Sequence, residues 1–133
     1  MRFVDAPAAL SVVVASTPVD RAKGLAGVRA LARNWGLLLE YPERADHSLW
    51  MRDVLVPLDM IFVDDFNARQ GRIMGIVHDA QPGDERHHTC GVPSRYVIEA
   101  AGGWCRLWGV LPGQRVETTE LELSDDGTGV TIR

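Results

Sequence analysis

Apolar residues fall along this chain in short runs with little helical spacing. The runs cover Ser11 to Ala15, Trp35 to Glu40, Ser48 to Asp53, Leu58 to Asp64, Arg72 to His78, Tyr96 to Ala101, Gln114 to Leu123 and Gly129 to Ile132. Most are rich in β-branched or aliphatic residues, and Gly, Pro, Asp or Asn separates them, which is the pattern of strands joined by turns. Their recurrence predicts a mainly β fold: a sandwich or jelly-roll-like arrangement, or an open barrel. Helical signals are confined to two short stretches. In STPVDRAKGLAG, residues 16–27, a Ser/Thr cap, Pro18 and Asp20 open a helix that Gly24 or Gly27 would end. In GGWCRLWG, residues 102–109, Gly109 is the expected stop. Residues 79–93, DAQPGDERHHTCGVP, are polar and broken by Pro and Gly, so they read as a long loop of the kind that carries function.

The length of 133 residues suits one domain spanning residues 1–133, large enough to bury a sizeable core. With 46% hydrophobic and 24% charged residues, the composition points to a soluble globular chain and away from disorder. No apolar run reaches the length of a membrane span. The net charge is −4 and the basic residues are scattered, so no basic stripe is offered to nucleic acid. AALSVVVAS, residues 8–16, reads better as a strand than as a signal segment. A cytoplasmic location is the default expectation, with a periplasmic one if a leader was removed. Cys90 and Cys105 are too few for a disulfide framework, and spacing leaves open whether they are bridged.

The richest stretch is LWMRDVLVPLDMIFVDD, residues 49–65, which sets Arg52, Asp53 and Asp59 among apolar neighbours. If residues 48–53 are extended, Ser48, Trp50 and Arg52 share one face, while Leu49, Met51 and Asp53 share the other. In the strand that starts at Pro57, Asp59 points the same way as Ile61 and Val63. A carboxylate so placed needs hydrogen-bond donors, whether from a ligand, an arginine or turn amides. Asp53 is either a ligand-facing acid or an Asx-type turn acceptor. Trp50 is either core or a stacking platform for a sugar. Glu99, in VIEAAGG, shares a face with Val97; it either pairs with Arg21, Arg52 or Arg95, or joins Asp53 and Asp59 in an acidic pocket able to hold a hard cation such as calcium.

A second group, His78, Asp79, His87, His88 and Cys90, carries the usual donors to a divalent transition metal. Of the adjacent histidines only His88 shares a face with Cys90, so a site would need His78 folded back from the preceding strand. Solvated loop imidazoles are the plainer account. No elbow or helix start follows Cys90 to serve it as a nucleophile.

Taken in order, DRAKGLAG, GLLLEYP, LWMRDVLVPLDMIFVD, GRIMGIVHDAQP and YVIEAAGGWCRLWGVLPGQRV resemble the bacterial and archaeal family known as domain of unknown function 192, over about residues 10–118. Trp50, Met51, Pro57, Leu58 and Asp59 carry the most specific part of the likeness. The resemblance implies a mainly β, sandwich-like or jelly-roll-like fold and no established activity. The family pattern is Trp-Met-Lys-Asn where this chain has Trp50, Met51, Arg52 and Asp53, and its first helix has Met where this chain has Ala26.

Three functions fit these observations. The leading one is a small-ligand or saccharide binding module using Trp50, Arg52, Asp53, Asp59 and Glu99, covered by the 79–93 loop. The others are a metal-assisted hydrolase using His78, His88 and Cys90, and a structural or protein-interaction module whose acids only hold turns.

Overall fold

The computed structural model describes residues 1–64, 66–67 and 69–118, and the backbone of Thr131 and Ile132. Nine strands among these residues form one sheet: β1 (Arg2–Phe3), β2 (Ala8–Ala9), β3 (Ser11–Ala15), β4 (Trp35–Ala45), β5 (Leu58–Val63), β6 (Gln70–Ala80), β7 (Ser94–Ala101), β8 (Arg115–Glu117) and β9 (Thr131–Ile132). Two short helices, α1 (Pro18–Lys23) and α2 (Trp104–Trp108), complete the elements. The spatial order is β2-β1-β8-β6-β5-β7-β4-β3-β9. Only Leu10 separates β2 from β3, yet these strands lie near opposite ends of that order. The sheet therefore curls until its ends nearly meet; Leu10, which joins β2 to β3, also extends the β1–β2 ladder, its N–H donating to the Met1 carbonyl at 2.8 Å. The result is a mainly β, nearly closed barrel, the open-barrel form of the expected fold.

One pairing is parallel. Ser11 to Ala15 of β3 run beside Trp35 to Leu39 of β4. Parallel neighbours need a crossover connection, and α1 lies in that crossover. Its start follows the predicted chemistry, because the Thr17 Oγ1 accepts the Asp20 N–H at 3.1 Å and Pro18 occupies the first turn. The second helix ends at Gly109, whose left-handed φ of 69° any side chain would strain.

Alternation on the central strands sorts side chains into two cores. Val12, Val14, Leu38, Ile61, Val63, Tyr96, Ile98 and Ala100 fill the barrel interior with Phe3, Leu10 and Trp104. Ala15, Leu37, Leu39, Leu58, Met60, Phe62 and Val97 face outward and pack beneath Met51 and Val54. All six residues of β5 are buried, because it has strands on both sides and core on both faces. That explains why every residue of it except Asp59 is apolar.

Several boundaries differ from the sequence reading: β6 runs from Gln70 to Ala80 rather than from Arg72 to His78, so the expected 79–93 loop begins only after Ala80, and β7 starts at Ser94 rather than Tyr96. Residues 48–53 do not form a strand; they make one isolated bridge, Leu49 to His88, before the chain turns at Arg52 and Asp53. Asp53 has φ 60°, a conformation incompatible with an extended ladder. Strand β4 continues past Glu40 to Ala45, with its pairing to β7 interrupted around Pro42, which has no N–H to donate. Strands β1 and β2, of two residues each, are too short to show a period. Of the predicted strand Gln114 to Leu123, Arg115–Glu117 is β8 and the positions after Thr118 lie outside the described residues, as do residues 129 and 130.

Candidate functional site

Strand β7 lies between β4 and β5, and its outward face carries Val97 and Glu99. Glu99 is paired with Leu37 on one side and Met60 on the other, so its carboxyl stands on an apolar floor. Two segments rise around it: the end of α1 with Gly24 and Leu25, and the loop from Ser48 to Val54. Between them opens a pocket of about 270 Å³ lined by Arg21, Lys23, Tyr41, Ser48, Trp50, Arg52, His87 and Glu99 over Leu25, Leu39 and Val54.

Glu99 is 3% exposed, and its Oε1 has no hydrogen-bond partner. Burial raises its pKa from the ordinary 4.5 to about 7, so the acid holds its proton through much of the weakly acidic range. The expected pairing with Arg21 is absent: the Arg21 Nη1 donates instead to the Ser16 and Glu40 carbonyls, the latter at 3.0 Å. Its guanidinium also lies 5.3 Å from the Tyr41 ring centre, leaving it fixed at the pocket wall. Arg95 donates to the Tyr41 carbonyl at 2.9 Å. Burial, followed by the nearby Glu99, raises the Tyr41 phenol, and Arg21 partly offsets this.

Gly24 closes the wall beside the acid. Its φ of 51° and ψ of −129° form a combination open to glycine alone. A Cβ there would stand 3.1 Å from Glu99 Oε1. The space above the carboxyl therefore depends on a residue without a side chain.

At the rim, Trp50 is 41% exposed. The Arg52 guanidinium lies 5.3 Å from its ring centre, and the His87 ring stacks at 5.8 Å. Trp50 thus holds a cation and an imidazole in position at the mouth. His87 comes from the loop of residues 81–93, which docks on the Trp50 segment through backbone bonds. Asp84 accepts from the Met51 N–H at 2.8 Å, and the Met51 carbonyl accepts from the Gly83 N–H at 3.0 Å.

The structure brings Trp50, Arg52 and Glu99 to one pocket and places Asp53 and Asp59 elsewhere. Asp59 is fully buried on the interior face with Ile61 and Val63. Its Oδ1 accepts from the N–H groups of Asp79 at 2.8 Å and Gly103 at 3.0 Å, and its Oδ2 from Cys105 at 2.8 Å. Because Asp59 opposes Ala100 while Met60 opposes Glu99, Asp59 and Glu99 project to opposite faces of the sheet. The three-acid pocket for a hard cation is therefore not formed. Asp53 serves the turn: its carbonyl accepts the Gly27 N–H at 3.0 Å, and its left-handed backbone suits Asn or Asp better than other side chains. The Asn of the resembling pattern fits this position for the same backbone reason, without any need for charge.

The second predicted group does not converge either. Among the described residues, no three His, Cys, Asp or Glu side chains are placed to hold a metal ion. His88 lies 3.5 Å from Asp84, Cys90 donates to the Val92 carbonyl at 3.3 Å, and the buried His78 Nδ1 has no partner. Both cysteines are free thiols, Cys105 with the interior core and Cys90 against the outer one. Burial and then the neighbouring Asp59 drive the Cys105 thiol strongly upward, out of reach of deprotonation near neutrality. Alkylation of the folded protein by iodoacetamide is therefore expected to label Cys90 well before Cys105, as mass spectrometry of tryptic peptides would show; equal rates would contradict this placement.

Sequence reasoning missed Lys23, Gly24 and Tyr41 as pocket residues, placed Ser48 only as sharing a face with Trp50 and Arg52, and read His87 as a metal-site candidate rather than a rim residue. Gly24 left a signal as a helix stop, which concealed its second role. Among the described residues, no helix is long and apolar enough to cross a membrane.

Comparison with known proteins extends the picture. A Sinorhizobium meliloti 1021 crystal structure, described as "a putative transcription regulator", superposes with a TM-score of 0.75 at 30% identity, covering 81% of each chain. A Novosphingobium aromaticivorans DSM 12444 protein of unknown function superposes with a TM-score of 0.69 at 35% identity, over 78% of this chain and 71% of that one. No curated protein matches. The DUF192 family, described as "Uncharacterized ACR", matches residues 2–118, which span β1 to β8, both helices and every pocket residue, and the chain belongs to that family.

Proposed function

We propose that the protein is a small-ligand binding module whose site is the Glu99 pocket. One observation carries this reading: a buried carboxyl with an unpartnered Oε1 forms the floor of a solvent-open pocket. An isolated polar group in an apolar setting costs free energy, and a ligand hydroxyl or amide would satisfy it. A concave cavity in which several polar groups and a perturbed acid converge over an apolar floor is a common form of binding site. Its size fits a molecule on the scale of a monosaccharide. The Sinorhizobium structure is described as a transcription regulator, but a net charge of −4 with scattered basic residues offers no basic stripe to neutralise nucleic-acid phosphates here.

The test is a thermal-shift screen of neutral polyols, amino acids and small carboxylates against the wild-type protein and Glu99→Leu. A ligand at about a hundred times its dissociation constant adds roughly 2.7 kcal/mol to stability, a readily visible rise in midpoint. Glu99→Leu removes a buried polar group and should fold at least as stably, yet lose that rise. If no compound raises the wild-type midpoint, or the rise survives in Glu99→Leu, the pocket reading fails and the protein-interaction alternative gains.

A further inference from the structure

The charge of the pocket runs against the charge of the chain. The protein carries a net −4, yet Arg21, Lys23 and Arg52 line this cavity and Glu99 is the one acid among its described lining residues. Lys23, the sole lysine of the sequence, is among them. The cations are also positioned: Arg21 is tied to two backbone carbonyls and set over Tyr41, and Arg52 lies against Trp50. Pre-placed cations around an apolar floor focus a positive potential into the cavity and favour an anion entering it. The floor asks for something else, because the unpartnered Glu99 Oε1 needs an uncharged hydrogen-bonding group such as a hydroxyl.

We propose that the Glu99 pocket is selective for a hydroxylated carboxylate of monosaccharide size, a sugar acid whose carboxylate meets the cationic rim and whose hydroxyl meets Glu99. This rests on the pocket being a binding site and adds the chemistry of its occupant. Guanidinium and carboxylate are matched in shape as well as charge, so Arg52, at the mouth, is the residue expected to read the anion. A neutral hexose would satisfy the floor and leave the rim unused. An amino sugar would bring a like charge against three cations.

The groups that face Glu99 and its occupant are Arg21 and Lys23 from α1, Tyr41 from β4, Arg52 from the Trp50 loop and His87 from the 81–93 loop. Protonation of Glu99 removes the negative charge opposing the ligand, so binding should tighten as pH falls from 8 to 6. Because the His87 imidazole shares the rim, Glu99→Gln is needed to assign this dependence: the variant should bind the anion with a flatter pH profile.

Isothermal titration with glucuronate, galacturonate, gluconate, glucose and glucosamine, on wild type, Arg52→Gln and Glu99→Gln, tests the inference. A charge-assisted contact should favour the acids over glucose by about tenfold or more. Arg52→Gln should bring their affinity down toward that of glucose, and added salt should weaken the acids selectively. If glucose or glucosamine binds as tightly as the acids, or Arg52→Gln leaves the preference intact, the sugar-acid assignment is overturned while the pocket reading stands. If none of the five binds, the assignment falls; the broader screen with Glu99→Leu then decides whether the pocket reading falls with it.

Discussion

Replacing Asp59 by asparagine is expected to lower the unfolding free energy by about 3 kcal/mol or more, since a buried carboxylate that organises three backbone amides gains an NH₂ group that faces at least one of them. The amides come from the end of β6, the turn before α2 and α2 itself, so the loss would spread to the junction that holds α2 against the barrel. Urea denaturation of the two proteins at matched pH measures it through the midpoint, with an unchanged slope indicating that the transition stays cooperative. A difference below about 1 kcal/mol would mean that these bonds are weak or replaced by water. A second readout separates structure from binding. Because Asp59 faces the interior and Glu99 the pocket, any ligand that raises the wild-type midpoint should raise that of Asp59→Asn by a similar amount.

Replacing Glu99 by glutamine should have the opposite sign and should depend on pH. Below about pH 4.5, the ordinary value for a glutamate, the folded and unfolded chains both hold the Glu99 proton. Between there and about pH 7 the unfolded chain releases the proton while the folded chain retains it, so stability falls as pH rises. Above that range both states are ionised and the loss levels off at roughly 3 kcal/mol. Glutamine has a similar shape and no such ionisation. The variant should match the wild type near pH 4.5 and exceed it by roughly 3 kcal/mol at pH 8. Subtracting the two stability curves removes the other titrating groups, among them Asp5 and Asp84, which Arg115 and Arg86 hold down to about 2. Parallel curves between pH 4.5 and 8 would show that Glu99 releases its proton normally in the folded protein. A residue that lowers stability near neutral pH and stands in an open pocket is consistent with the proposed binding site, since function and stability can make competing demands there.

These two acids show how far local sequence reaches. Both sit in apolar runs, and the period of two correctly places Asp59 with Ile61 and Val63 and Glu99 with Val97. What alternation does not contain is which face of a doubly covered strand meets solvent, or which residue of the neighbouring strand stands opposite. A register that sets Met60 beside Glu99 puts the two carboxyls on opposite sides of the sheet, and a slip of one residue would have joined them. Ser48, Trp50 and Arg52 came together at the pocket although residues 48–53 are not a regular strand, because the buried Met51 between them turns its neighbours outward.

The sequence by itself determined the β-rich class, the start of α1 at its Thr17 cap, the stop of α2 at Gly109, and the kinship carried by the Trp50 to Asp59 stretch. These are written in local chemistry: propensity, capping, turn residues and side-chain period act within a few positions of one another. Only the tertiary structure decided that the sheet curls until its ends nearly meet, that Asp59 ends beneath three amides, and that Glu99 stands alone under Arg21, Lys23 and Arg52. Those outcomes depend on strand register, on the parallel crossover through α1 and on the docking of the 81–93 loop, contacts between residues far apart in the chain that no local pattern encodes.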